Sequence, residues 1–406
     1  MKTSNKLCLL LLTAYLFFTI NLLGIIHNII DKCDSADEES NAFQKRSFDT
    51  NGTLHRTTGN TKYVPEANHV LLAASQTDYP LDIKIGTLVR MVGTNGTTEV
   101  QQIVGGKYIL RKRIGQGGFG HIFLGTDMTN GEKVAVKVDR FEEINPTVSK
   151  EVNIYRVLQG GEGFPTVRWS GREGNYNVLV MDLLGENLQK YFEHCRYKFS
   201  LKTASILADQ IISRLEYLHY KGFIHRDVTP VNFVVGLGNK RNMIYAIDVG
   251  LSERYRDPNT DRHLPYRYVG FAGTDRYCSL SAHEGYQQSR RDDMESLGYM
   301  LVYFLKGKLP WQEVNSKVNG TMLAKTLQIK QSTTLDDLCE GLPVEYSQYL
   351  NISRSLQFEE KPDYSRLRSI FRNAFQRQNL LSNYMFDWNV ENGICEINDE
   401  NKNNGK

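Results

Sequence analysis

The chain divides by the density of its apolar positions. From Ile103 to about Val390 hydrophobic residues recur at short, regular intervals, whereas residues 31 to about 102 are rich in Asn, Thr, Ser, Gly and charge. The dense region opens with runs that alternate apolar and polar side chains: Tyr108–Ile114, Gly120–Asp127 and Lys133–Val138. A period of two puts every second side chain on one face, so these runs predict three successive strands. Later runs, such as Leu201–Tyr220 and Arg291–Leu305, carry helical spacing. Strands first and helices afterwards predict an α+β arrangement, a small sheet lobe on a larger helical lobe. The polar stretch ahead reads as a flexible spacer, with apolar patches at Val70–Ala74 and Ile83–Val92 that leave room for one strand or amphipathic turn. Residues 391–406 read as a loose polar tail.

The first thirty residues follow another pattern. Lys2 and Lys6 precede an uncharged apolar run from Leu7 to Ile30, and Asp31, Asp34, Asp37, Glu38 and Glu39 follow it. Positive charge before the run and acid after it favour a cytoplasmic N-terminus. At a helical rise of about 1.5 Å per residue the run is long enough to cross a hydrocarbon core. It predicts membrane association through residues 7–30 as a signal anchor, or a cleaved signal; both imply the secretory route. The alternative is a cytosolic protein initiated at Met91. Sequons at Asn51, Asn95, Asn319 and Asn351 are compatible with a lumenal fate.

Composition narrows the classes. Of 406 residues, 40% are hydrophobic and 23% charged, which fits a globular chain and excludes a wholly disordered, collagenous or polytopic membrane protein. With 49 basic and 46 acidic residues the net charge is +3, and nothing in that balance points to nucleic acid. The cysteines, Cys8, Cys33, Cys195, Cys278, Cys339 and Cys395, are scattered without a C-x-x-C pair, and they predict ordinary buried thiols rather than a disulfide framework or zinc site.

The candidate chemistry sits in the dense region. Gly115-Gln116-Gly117-Gly118-Phe119-Gly120 joins the first two predicted strands. Flanked by strands on both sides, such a loop can lay backbone amides over nucleotide phosphates, and without a following G-K-[ST] it is not a P-loop. Val134-Ala135-Val136-Lys137 follows, its lysine placed to reach α- and β-phosphates, with Glu151 on the next helical stretch available to pair with it. In His225-Arg226-Asp227-Val228-Thr229-Pro230-Val231-Asn232, Asp227 can accept the proton of an attacking hydroxyl and Asn232 can ligate magnesium. Asp248-Val249-Gly250 supplies a second magnesium ligand in Asp248. Taken singly, each piece is more simply a turn or a surface ion pair. Together and in this order they resemble the protein kinases, which implies a bilobal fold over about residues 103–390, with an N-lobe to about 182 and a C-lobe from about 186.

Further segments resemble the casein kinase 1 family. They include Gln159-Gly160-Gly161, Pro165-Thr166-Val167-Arg168-Trp169, Tyr176 through Gly185, His263-Leu264-Pro265-Tyr266-Arg267 and Ser289 through Tyr299. Leu309-Pro310-Trp311-Gln312, Lys361-Pro362-Asp363-Tyr364 and Phe386-Asp387-Trp388 belong with them, and Ile103 through Tyr108 leans toward the alpha isoform group. The resemblance implies a constitutively active, monomeric Ser/Thr kinase that uses ATP and magnesium on protein substrates. Gly273-Thr274-Asp275-Arg276-Tyr277 stands where other kinases carry A-P-E. By the same resemblance Met181 is the gatekeeper and Asp182, Leu183 and Leu184 form the adenine hinge. Ile114, Ile122 and Ala135 cover the base and Val234 and Ile247 lie beneath it, with His121 closing the glycine-loop set. Arg276 is implied as a substrate-anion contact.

Three positions depart from the family pattern. Thr229 replaces a lysine that bridges the γ-phosphate and the base, a loss worth about 10²–10³ in kcat by analogy with other electrostatic donors. Val249 replaces a phenylalanine that stacks between the loop histidine and the C helix, predicting a thinner contact near Tyr155. Asn319-Gly320-Thr321-Met322 replaces a lysine-rich element, and the segment from Tyr266 to Gly273 is one residue shorter, which weakens recognition of pre-phosphorylated substrates. The leading expectation is therefore a kinase of reduced activity. The rival is a pseudokinase scaffold that binds nucleotide or partner proteins. Arginines of the Ser289–Asp293 run are expected to pair acidic groups inside the helical lobe.

Overall fold

The computed structural model describes residues 85–92, 98–117, 120–140, 147–312, 322–377 and 385–389. All of them lie in the second of two units into which the chain divides, Ala74–Lys406. The apolar run at residues 7–30, most of the expected spacer, and the tail lie outside the described residues. Among the described residues no helix is long and apolar enough to cross a membrane.

Seven strands form the small lobe: β1 (Thr87–Val92), β2 (Thr98–Val104), β3 (Tyr108–Gly117), β4 (Gly120–Asp127), β5 (Lys133–Arg140), β6 (Val167–Glu173) and β7 (Tyr176–Asp182). Their order is β1-β2-β3-β4-β5-β7-β6, and each neighbouring pair is antiparallel. Helix α1 (Thr147–Leu158) packs on this sheet. The large lobe carries α2 (Leu188–His194), α3 (Leu201–Tyr220), α4 (Leu280–His283), α5 (Arg290–Lys306), α6 (Met322–Ser332), α7 (Leu335–Cys339), α8 (Val344–Ser355) and α9 (Tyr364–Arg377). Two short ribbons, β8 (Phe223–Ile224) with β11 (Glu253–Arg254) and β9 (Phe233–Val235) with β10 (Ile244–Ala246), join the lobes' functional loops. The expected α+β bilobal architecture is the one observed.

The lower boundary needs correcting. The sheet starts at Thr87 rather than at residue 103, and Ile85, 1% exposed, packs with Val104, Tyr108 and Val136 in the sheet's core. Residues 98–104, Thr-Glu-Val-Gln-Gln-Ile-Val, are too polar to stand out by pattern, so the two added strands were not legible as a pair. Gly86 turns the chain with φ of 72°, and a Cβ there would meet the Ile103 carbonyl oxygen at 2.1 Å.

The cysteines also differ in part from expectation. Cys278 and Cys339 are free and buried, as anticipated, but Cys195 is disulfide-bonded, its partner outside the described residues.

Candidate active site

The alternation on β5 decides which side chains meet. Val134, Val136 and Val138 enter the sheet core, which turns Ala135 and Lys137 to the other face, where they line a cleft. Asp139, on that same face, aims α1: its Oδ2 accepts the Val148 N–H at 2.8 Å and its Oδ1 accepts from Asn177 Nδ2 at 2.9 Å. A carboxylate suits the positive end of a helix dipole. Glu151 therefore comes to Lys137, with Nζ donating to Oε1 at 2.6 Å and to Asp248 Oδ1 at 3.1 Å.

Burial works against every charge in this cluster. It would lower the Lys137 ammonium, but Glu151 and Asp248 outweigh it and the net shift is upward. It pushes the Glu151 carboxyl up to about 8, with Lys137 pulling the other way. Asp248 is held below the usual carboxylate range despite burial, chiefly by Lys137. The shifts on Lys137 and Glu151 place the shared proton differently. We assign it to the lysine, because a second anion, Asp248, touches the same nitrogen.

The cleft measures about 420 Å³, with Ile114, Gly115, Ile122, Ala135, Met181, Asp182, Leu184, Val234 and Ile247 on its walls beside Lys137, Glu151, Asn232 and Asp248. Sequence reasoning named Tyr155, Gly185 and Val231 without placing them on these walls, and it missed Glu186 and Asn187, which nothing in local spacing marks. A cavity of about 640 Å³ in the helical lobe shares none of these residues. In the glycine segment Gln116 pairs with His121 and Gly117 with Gly120, while Gly118 and Phe119 lie outside the described residues. Gly120 and His121 are not on the cleft wall. Gly120 has φ of 132°, and a Cβ there would sit 2.2 Å from the Val138 carbonyl oxygen, so the hairpin needs glycine.

Asp227 is held from two sides. Thr274 Oγ1 donates to Oδ1 at 2.6 Å, and Asn232 Nδ2 donates to Oδ2 at 2.7 Å and to the Asp227 carbonyl at 2.9 Å. With its amide nitrogen so used, Asn232 keeps Oδ1 for a cation. The carbonyl of Asn232 and the carboxylate of Asp248 are hard oxygen donors of the kind magnesium takes beside phosphate. The apolar walls suit a purine face, so the residues present fit a magnesium nucleotide.

The loop carrying Asp227 hangs on Asp293 of α5. Its oxygens accept the backbone N–H of His225 at 2.7 Å and of Arg226 at 2.9 Å. His219 Nε2 lies 2.8 Å from the same carboxylate and its Nδ1 lies 2.7 Å from the Tyr364 hydroxyl. Burial pushes His219 below its ordinary pKa, so the neutral ring donates from Nε2 and accepts at Nδ1. Burial opposes the Asp293 charge, but His219 and the loop amides hold it ionised. These bonds support Arg226, left-handed with φ of 65°, while Asp248, left-handed with φ of 57°, is held through its own N–H, which donates to the Tyr155 hydroxyl; each is a strain of about 1–3 kcal/mol. The Arg226 guanidinium pairs with Glu253.

The departures can now be placed. Thr229 is 3% exposed and its Oγ1 has no hydrogen-bond partner among the described residues. Val249 is fully buried, and the Asp248 N–H beside it donates to the Tyr155 hydroxyl of α1 at 2.9 Å. Arg276 lays its guanidinium 5.8 Å from the centres of the Tyr277 and Tyr303 rings. Residues 319–321 lie outside the described residues. Arg291 reaches the Asp292 carboxylate at 3.9 Å, the acid pairing expected of the run, and both arginines also donate to backbone carbonyls, Arg290 to Glu359 and Arg291 to Leu356. Carbonyls at the ends of chain segments need donors as much as carboxylates do.

A sheet lobe, a helical lobe, and between them a lysine–glutamate pair facing an asparagine and two aspartates describe one architecture. Residues 108–357 match the family model for the protein kinase domain, well over half of the sequence, and the chain belongs to that family.

Proposed function

We propose that the protein is a Ser/Thr kinase of the casein kinase 1 type that moves the γ-phosphoryl group of ATP to hydroxyls of protein substrates. One observation carries the reading: Asp227 is oriented by Thr274 and Asn232 while Lys137 is already paired to Glu151 and Asp248. In this reading Asp227 takes the proton of the attacking hydroxyl, and Lys137 holds the nucleotide phosphates. Magnesium, held by Asn232 and Asp248, supplies charge neutralisation. Met181 and residues 182–184 border the base, and Ile114, Ile122, Ala135, Val234 and Ile247 enclose it. Thr229 brings no positive charge to the γ-phosphate, so turnover is reduced. The test is single-turnover phosphorylation of casein by the full chain beside Asp227→Asn. Transfer that disappears in the variant supports the reading, and no transfer from the wild type sinks it for casein-like substrates.

The buried, unpartnered hydroxyl of Thr229 favours a second reading, a scaffold that binds nucleotide without efficient transfer. Nucleotide titrations with and without magnesium separate the two: an enzyme needs the metal for tight binding, and a scaffold is indifferent to it.

A further inference from the structure

The segment from Tyr266 to Phe271 exposes large apolar side chains beside the catalytic loop. Tyr266 is 48% exposed, Tyr268 72%, Val269 45% and Phe271 38%. Its backbone is nonetheless fastened. The Val269 and Gly270 amides donate to the Gly285 carbonyl at 2.9 and 3.0 Å, Gln287 N donates to the Arg267 carbonyl at 2.8 Å, and Gln288 Nε2 donates to the Ala272 carbonyl at 2.9 Å. Tyr266 stacks on Tyr286 with ring centres 5.0 Å apart. Apolar groups held outward by so many backbone bonds are presented rather than misplaced.

The position of this ridge selects its occupant. Two residues after Phe271, a Cβ on Gly273 would meet the Arg226 carbonyl oxygen at 2.7 Å, and the next residue, Thr274, binds Asp227. The ridge is thus continuous with the place where a phosphoacceptor hydroxyl must sit. Phe271 also lies 5.6 Å from the His283 ring, whose Nε2 is 2.8 Å from the Leu323 carbonyl oxygen, and Met322 next to it is 53% exposed. Between Tyr266 and Gly273 the only charged residue is Arg267. A phosphate or acidic run needs converging cations, and this ridge offers aromatic rings instead.

We propose that the Tyr266–Phe271 ridge docks an aromatic or aliphatic side chain of the protein substrate, flanking the phosphoacceptor. The proposal rests on the kinase reading above and names the substrate class of that same site. Full-length protein would be given a peptide set identical except at the flanking positions, which carry Phe or Leu, Asp, phosphoserine or Ala. Apolar flanks should raise kcat/KM over Ala by roughly 10- to 100-fold, the range one or two apolar side chains supply. The double variant Tyr268→Ser, Phe271→Ser should erase that gain, so that the Phe, Leu and Ala peptides are phosphorylated alike, while Tyr268→Phe, Phe271→Leu should keep it. Equal unfolding midpoints would exclude a folding defect. A wild-type preference for Asp or phosphoserine, or an apolar preference that survives the Ser variant, overturns the proposal. Fluorescence polarisation of the same peptides on Asp227→Asn separates the two readings. Apolar-selective binding without any wild-type transfer would sink the enzyme reading and keep the ridge, and transfer without selectivity would do the reverse. Self-association abolished by the Ser variant, with no peptide selectivity, would also overturn it.

Discussion

The Tyr155 hydroxyl accepts the backbone N–H of Asp248 at 2.9 Å, joining α1 to the turn that carries Asp248 across 93 residues of sequence. The small Val249 side chain leaves that link to a polar bond where the family uses a ring. Tyr155→Phe would leave the amide without its partner in a buried site, at a cost of about 1–3 kcal/mol. Expected is a fall in kcat of roughly 5- to 150-fold, if α1 must stay seated during transfer. Stopped-flow phosphorylation, with ATP affinity measured separately, checks it. An unchanged kcat would show that α1 is seated by Glu151 alone.

Thr229 invites two opposite substitutions. On the proposed reading, Thr229→Lys supplies a positive charge to the γ-phosphate and should raise kcat by up to about 10²–10³. Thr229→Val removes a hydroxyl that is buried without a partner and should raise stability by about 1 kcal/mol or slightly more. If Thr229→Val instead lowers kcat tenfold, the hydroxyl takes part in transfer. Single-turnover rates and chemical denaturation distinguish these results.

Glu253 occupies the Arg226 guanidinium from within the chain. A kinase that satisfies this arginine internally does not need a phosphate on its activation segment to hold it. Glu253→Gln should therefore lower activity by roughly fivefold, the upper range for a part-exposed ion pair. Sulfate or phosphate at millimolar concentration should recover some of the loss in the variant and do nothing for the wild type. An anion effect of equal size on both proteins would refute the assignment.

The buried His219 gives the fold a pH dependence. Its folded pKa lies below the ordinary imidazole value, so the unfolded chain binds the proton first. Its contribution is whole above about 6.5 and is lost as pH falls through the lower folded value. The unfolding midpoint should drop between pH 7.5 and pH 5.5, and less steeply in His219→Asn. Equal slopes in the two proteins would assign the effect to other groups, His283 first, since burial lowers it as well.

Motifs confined to a few residues were legible in the sequence: Lys137, Asn232 and Asp248 come together on one cleft and Asp227 hydrogen-bonds Asn232, whereas of the glycine segment only Gly115 lines that cleft among the described residues. Glu151 could be anticipated because the helix after β5 has one register that faces the lysine. Partners that act across long separations were not. Thr274 reaches Asp227 over 47 residues, Asp293 reaches Arg226 over 67, and Glu253 reaches it over 27. Nothing in a window of sequence distinguishes such a carboxylate from a solvated one. Strand β1 falls inside the Ile83–Val92 patch that left room for a strand, but β2 escaped for a different reason, since its run Thr-Glu-Val-Gln-Gln-Ile-Val is too polar to stand out.

That edge bears on where the working polypeptide starts. A chain initiated at Met91 would begin inside β1, without Ile85 and without the glycine that folds it over the Ile103 carbonyl. One trimmed to residue 103 would strip both outer strands and bare the hydrogen-bonding rim of β3 to other molecules, an invitation to pair strand to strand and precipitate. Soluble yield from shortened versions should then hinge on eighteen residues, 85 to 102, that supply none of the candidate site residues. They are the hem that keeps the cloth from fraying.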